Sequence, residues 1–219
     1  MGFELNDRVV ALNVQLQAFM DKHIYPREHD WHEWCLDQDN LWVTPPWFDE
    51  LRELAKAEGL WNLFLPREYA PWSPGLSNVE IAPLFETMSK VLWAQPVFNC
   101  NAPDRGNMEV LAKYGTEAQQ KQWLDPLLAG EIRSAYAMTE PQVASSDATN
   151  MELEITRDGD EYVLNGRKWW TTGAINPRCK IMLVMGKSNP ENPRHRKHST
   201  ILVPRDTPGI TLVRPLRVF

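Results

Sequence analysis

The chain is poor in the features that announce the commoner kinds of site. Its three cysteines, Cys35, Cys100 and Cys179, are far apart, and no C-x-x-C pair occurs. That argues against a disulfide framework and against a zinc knuckle, and leaves them as small buried residues or idle thiols. There is no G-x-G-x-x-G and no G-x-x-x-x-G-K-[ST], so neither a Rossmann phosphate turn nor a P-loop is supported. H-E-x-x-H is also missing, and His23, His29 and His32 lie among tryptophans that suggest packing rather than metal binding. No run of about 18 apolar residues exists, which excludes a membrane-spanning helix. The first residues lack a basic stretch followed by an apolar core, so no secretory signal is expected and a cytoplasmic location follows. Positive charge is scarce too: 23 basic against 29 acidic residues give a net charge of −6, which disfavours nucleic acid as a partner. An anionic ligand would need a local basic patch.

What is present is a chain of 219 residues, 43% hydrophobic, with ten tryptophans. Its pattern changes once. Up to about residue 131 the spacing is helical. Residues 6–23 carry Val9, Val10, Leu12, Leu16, Phe19 and Met20 behind an Asn6 or Asp7 cap. Residues 24–44 read as an irregular connection with one short helix. Pro45-Pro46 opens a helix that runs to about Glu58 and stops at Gly59. Ser77…Glu80 and Thr116…Gln119 have capping-box spacing and start two more, the first running to about Trp93. Residues 103–114 suggest another.

From Ile132 onward the pattern is of strands: 132–138, 152–156, 161–164, 180–186, 200–204 and 211–213, punctuated by Asp158-Gly159, Asn165-Gly166 and Pro208-Gly209. Helices first and strands after predict an α+β protein, with a helical domain over 1–131 and an antiparallel β-domain over 132–219. The last residues, Val213 to Phe219, read as a sheet still in progress, so the β-domain is expected to be incomplete.

Two polar turns flank the hairpin expected at 152–164. The first is T-E-P-Q-V-A-S-S-D, 139–147, and the second is K-W-W-T-T-G, 168–173. A hairpin returns its outer ends to one place, so the turns form two lips of one site. The first offers hydroxyls on Thr139, Ser145 and Ser146 and a run of backbone N–H groups. The second offers indoles on Trp169 and Trp170, then hydroxyls on Thr171 and Thr172. A flat heteroaromatic such as a flavin needs a stacking face and hydrogen bonds at its edge, and this set supplies both. From the pattern alone, a β-corner with a packed Trp pair and a polar turn is the commoner reading of the same residues.

The stretch from Gly106 to Asn150 (GNMEVLAKYGTEAQQKQWLDPLLAGEIRSAYAMTEPQVASSDATN), with YVLNGRKWWTTGA after it, resembles the acyl-CoA dehydrogenase family. The Q-V-A-S-S-D-A-T-N spelling is similar to the branch often fused to a kinase-like domain. The resemblance covers nearly the whole chain. It implies a helical N-terminal domain, a middle β-domain and a C-terminal four-helix domain, the last absent here. It also implies FAD, an acyl-CoA substrate, α,β-desaturation as in fatty-acid β-oxidation, an electron-transfer flavoprotein as acceptor, and a homo-oligomer. By position, Tyr136, Met138, Thr139, Trp170 and Thr172 would contact the flavin, and Ser146 would face both FAD and the acyl-CoA; Ser145 and Thr171 are further cofactor candidates by their hydroxyls. The commoner spelling T-E-P-x-x-G-S-D is one residue shorter, so choosing Ser146 over Ser145 rests on counting back from Asp147.

The family's catalytic glutamate comes from the C-terminal bundle. No catalytic residue is therefore expected in this chain, which alone is expected not to dehydrogenate acyl-CoA. Glu140 and Asp147 are read as structural members of their turn. Arg194 and Arg196, in the basic run RHRKH, are candidates for the phosphates of CoA. Other readings are a non-catalytic fragment, or another flavin reaction of nitroalkane oxidase or flavin-dependent hydroxylase type.

Overall fold

The computed structural model describes residues 4–37 and 43–216. They divide into two compact units, Met1–Gly130 and Glu131–Phe219.

The first unit is helical. Helix α1, Asp7–Phe19, is capped by the Asn6 side chain accepting from the Val9 N–H, and it continues through a wide π turn, Met20–Ile24, and a tight one, Tyr25–Arg27. The one short helix expected within 24–44 is α2, Glu28–Leu36. The part of that expectation on 38–42 lies outside the described residues. Helix α3, Trp47–Ala57, ends before Gly59, whose φ of 69° suits a residue without a Cβ.

Helix α4, Asn78–Met88, carries the full capping box: Glu80 returns its carboxylate to the Ser77 N–H and hydroxyl. It ends well short of Trp93. Pro83 lies past the first turn, so one backbone bond is missing there, yet the helix holds because Ile81, Leu84 and Met88 are buried. Helices α5, Asp104–Tyr114, α6, Glu117–Gln119, and α7, Asp125–Ala129, complete the unit, α6 and α7 being joined by a π turn. No described helix is long and apolar enough to cross a membrane.

Phe19 meets Phe98 edge-on at 5.3 Å in the core. Trp31 stacks on Trp93 at 5.3 Å with Trp47 and Phe48 beside them, so part of the tryptophan excess is packing. Of the thiols, Cys35 is exposed while Cys100 and Cys179 are buried.

The second unit is a five-stranded sheet: β1, Arg133–Ala137; β2, Glu154–Asp158; β3, Glu161–Asn165; β4, Cys179–Lys187; and β5, His198–Pro204. It is mixed, not purely antiparallel. β4 takes β1 in parallel on one edge and β5 antiparallel on the other, and β2 joins β4 in parallel only at Glu154 and Lys187. The chain between β1 and β4 is a long crossover, which permits a parallel pair that no hairpin could make.

The hairpin β2–β3 is antiparallel, closed by Gly159 at φ 60°. It starts two residues later than expected. The N–H groups of Glu152 and Leu153 are already bonded to a carboxylate (below) and do not join the ladder. Residues 211–213, expected as a strand, join no ladder among the described residues. Ala135, Ala137, Leu153, Ile155, Met182 and Val184 form the core of this unit.

Candidate functional site

The two turns meet. Thr139 accepts the Trp169 N–H on its carbonyl at 3.0 Å, and its hydroxyl donates to the Trp169 carbonyl at 2.6 Å. One backbone bond and one side-chain bond thus tie together lips that are 30 residues apart in sequence. β1 delivers the first lip and β3 the second.

A buried ion pair lies behind that contact. Lys168 Nζ donates to Glu140 Oε1 at 2.7 Å and to the Met138 carbonyl at 2.8 Å. The Glu140 carboxylate also accepts the N–H of Glu152 at 2.7 Å and of Leu153 at 2.8 Å. The side chains are 9% and 3% exposed, so both charges lean on these partners and not on water. Burial pushes the Glu140 carboxyl up, but the bond from Lys168 and the two N–H groups outweigh it, and its pKa falls below the usual value. Burial is the larger influence on Lys168 and lowers its pKa, with Glu140 opposing. Glu140 is structural, as expected from the sequence, and Lys168 is a partner that the sequence pattern does not single out. The usable signal is a single base, Lys168, on one turn facing two acids, Glu140 and Asp147, on the other.

Ser145 is turned inward. Its oxygen accepts the Glu140 N–H at 2.8 Å and lies within donating reach of the Glu140 carbonyl at 3.3 Å and the Val143 carbonyl at 3.2 Å. Ser146 next to it is exposed. Tyr136, on β1, is half-buried with its hydroxyl 3.7 Å from Met185 Sδ, and Met138 is half-buried at the root of the first lip.

On the second lip, Trp169 and Trp170 are 41% and 49% exposed, with ring centroids 5.9 Å apart. Trp170 has a left-handed backbone, φ 52°, which a bulky residue adopts at a cost of about 1–2 kcal/mol and keeps only where its surroundings hold it. The Thr172 N–H closes back on the Trp170 carbonyl at 3.0 Å. Thr172 is exposed and Thr171 half-buried.

The basic run reaches the same place from the β4–β5 loop. Arg194 donates to Asp147 Oδ2 at 2.6 Å and to Thr149 Oγ1 at 2.9 Å, so it is docked on the first lip. Asp147 is held below the usual carboxylate range, first by the Thr149 hydroxyl and N–H and then by Arg194. Arg196 is exposed, with its carbonyl accepting from Asn192. At the foot of the loop, burial and then the charges of Lys187, Lys168 and Lys197 lower the pKa of His198, with Asp147 opposing. The predicted site residues therefore assemble on one end of this sheet. Ser145 is the exception, facing into its own turn.

Two family descriptions fit the chain: the acyl-CoA dehydrogenase N-terminal domain over residues 7–131 and the middle domain over 135–218. Among curated proteins, mouse acyl-CoA dehydrogenase family member 10 is 52% identical over 98% of this chain, which is 20% of the mouse protein. A probable acyl-CoA dehydrogenase of Mycobacterium tuberculosis, FadE2, is 49% identical over the whole chain and 53% of its own length. A solved Mycobacterium abscessus protein, provisionally named an acyl-CoA dehydrogenase, superposes with a TM-score of 0.91 at 48% identity, over 98% of this chain and 54% of that one. The chain thus spans about half the length of its bacterial relatives and less of the mouse one. Two domain matches in family order, and a fold shared at this identity, make the chain a member of the acyl-CoA dehydrogenase family.

Proposed function

We propose that the chain forms the flavin-holding part of an FAD-dependent acyl-CoA dehydrogenase acting on an acyl thioester. The observation that carries this is the pair of bonds between Thr139 and Trp169, which sets a half-exposed indole and the hydroxyls of Thr171 and Thr172 on one rim. The donor set fits the group. Trp170 offers a face to a flat ring, Thr171 and Thr172 offer hydroxyls beside it, and Tyr136, Met138 and Thr139 line the opposite rim. When bound, FAD would accept the hydride from the β-carbon of the acyl group.

Ser146 would face the junction of flavin and substrate. Arg194 and Arg196 would face the phosphates of CoA. Because Arg194 is engaged with Asp147, its part is to hold the basic loop against the lip, and Arg196 is the freer cation. An electron-transfer flavoprotein as acceptor and a homo-oligomeric assembly belong to the same reading.

The test is a titration of the purified chain with FAD, followed by the visible spectrum of the bound flavin and by quenching of its fluorescence. Saturable uptake near one flavin per chain is expected, weakened at least tenfold in Trp170→Ala. Equal uptake by wild type and Trp170→Ala would remove Trp170 from the site, and no uptake at all would remove the reading.

A further inference from the structure

Resting on the flavin reading, we infer that Lys168, through its pair with Glu140, is the positioning residue that sets the gap between the lips and presents the Trp170 indole. The Lys168 ammonium is tied to the first lip at two points, the Met138 carbonyl at 2.8 Å and Glu140 Oε1 at 2.7 Å. Its neighbour Trp169 is tied to the same lip by both its N–H and its carbonyl. Residues 168 and 169 are thereby fixed against 138–140, and the chain must turn away at the next residue. That residue is Trp170, the one non-glycine in this unit with a left-handed backbone among the described residues.

The pinning explains the turn. A left-handed tryptophan with a half-exposed ring gains little from packing that ring, so the pinning of the preceding two residues, with the Thr172 N–H on the Trp170 carbonyl, holds the conformation. Glu140 in turn is fixed by the N–H groups of Glu152 and Leu153, so the lips are referenced to the start of the hairpin as well as to each other. Lys168 itself is nearly buried, so it acts through Trp170 and not by touching a ligand.

A purely stabilising role would be met by any pair that leaves no buried charge unpaired. The double variant Lys168→Met with Glu140→Gln removes both charges together and separates the two roles. The chain is labelled with 5-fluorotryptophan, and the Trp169 and Trp170 lines are assigned by Trp169→Phe and Trp170→Phe. All other tryptophans precede residue 130 and serve as internal references.

We expect the Trp169 and Trp170 lines of the double variant to shift and broaden without flavin while the reference lines stay, and FAD affinity to fall at least tenfold. Unmoved Trp169 and Trp170 lines would overturn the positioning role, whatever the flavin does. Moved lines in a chain whose wild type takes up no FAD would keep the positioning role and sink the flavin reading instead. Glu140→Gln alone, nearly isosteric, is read in the same way if the double variant does not fold.

Discussion

Glu140 and Lys168 are unequal partners. Without Lys168, Glu140 keeps two backbone N–H donors; without Glu140, Lys168 keeps one carbonyl. Breaking a buried pair from one side costs about 3–5 kcal/mol, mostly through the charge left behind. Glu140→Ala is therefore expected at the upper end of that range and Lys168→Met below it, measured by urea unfolding at neutral pH. The acid limb follows from the direction of the Glu140 shift. Its carboxyl titrates lower in the folded chain than in the unfolded one, so the unfolded state binds more protons between the two values. The stabilisation is fully present above the unfolded value of about 4.3 and is lost as pH falls through the folded one. Glu140→Gln should flatten this part of the pH dependence. A wild-type slope retained in Glu140→Gln would move the effect to other carboxylates.

Among elements, the hairpin and the capped helices were legible because their signals are local. Ser77 and Glu80 are three residues apart, and Gly159 lies inside its own turn. The parallel pairing of β1 with β4 was not legible, since nothing within either strand encodes a partner on the far side of a long crossover. The π turns in the first unit were missed for a related reason: a wide turn keeps the apolar spacing nearly helical. Gly166 shows the difference between a turn signal and a packing demand. Its place after Asn165 marks a turn, but a Cβ there would lie 2.8 Å from the Leu153 Cα. At Gly159 a Cβ meets nothing within 4 Å, and only the backbone conformation resists. Gly159→Ala should then cost about 1–2 kcal/mol. Gly166→Ala adds overpacking of about 1–3 kcal/mol against backbone that cannot rotate away. Thermal unfolding of the two variants should place Gly166→Ala lower. Equal losses would mean that Leu153 recedes from the new methyl group at little cost.

At the scale of the molecule, the two lips were legible and their electrostatics were not. Hydroxyls and indoles announce themselves, whereas the Lys168–Glu140 and Arg194–Asp147 pairs join residues 28 and 47 positions apart. Those pairs bear on what the chain is expected to do alone. Desaturating an acyl thioester requires a base within reach of the α-proton and donors at the carbonyl that becomes an enolate. The acids of the first lip are both engaged: Glu140 is buried under three hydrogen bonds and Asp147 is shared by Thr149 and Arg194. Both have depressed pKa values, which makes them weak proton acceptors. The purified chain, supplied with FAD, an acyl-CoA and an artificial electron acceptor, is therefore expected to bind flavin without turnover. The visible flavin band should not bleach anaerobically when the acyl-CoA is added. Bleaching in the wild type that disappears in Glu140→Gln, with flavin still bound, would make Glu140 the base and would require Lys168 to release it during the reaction.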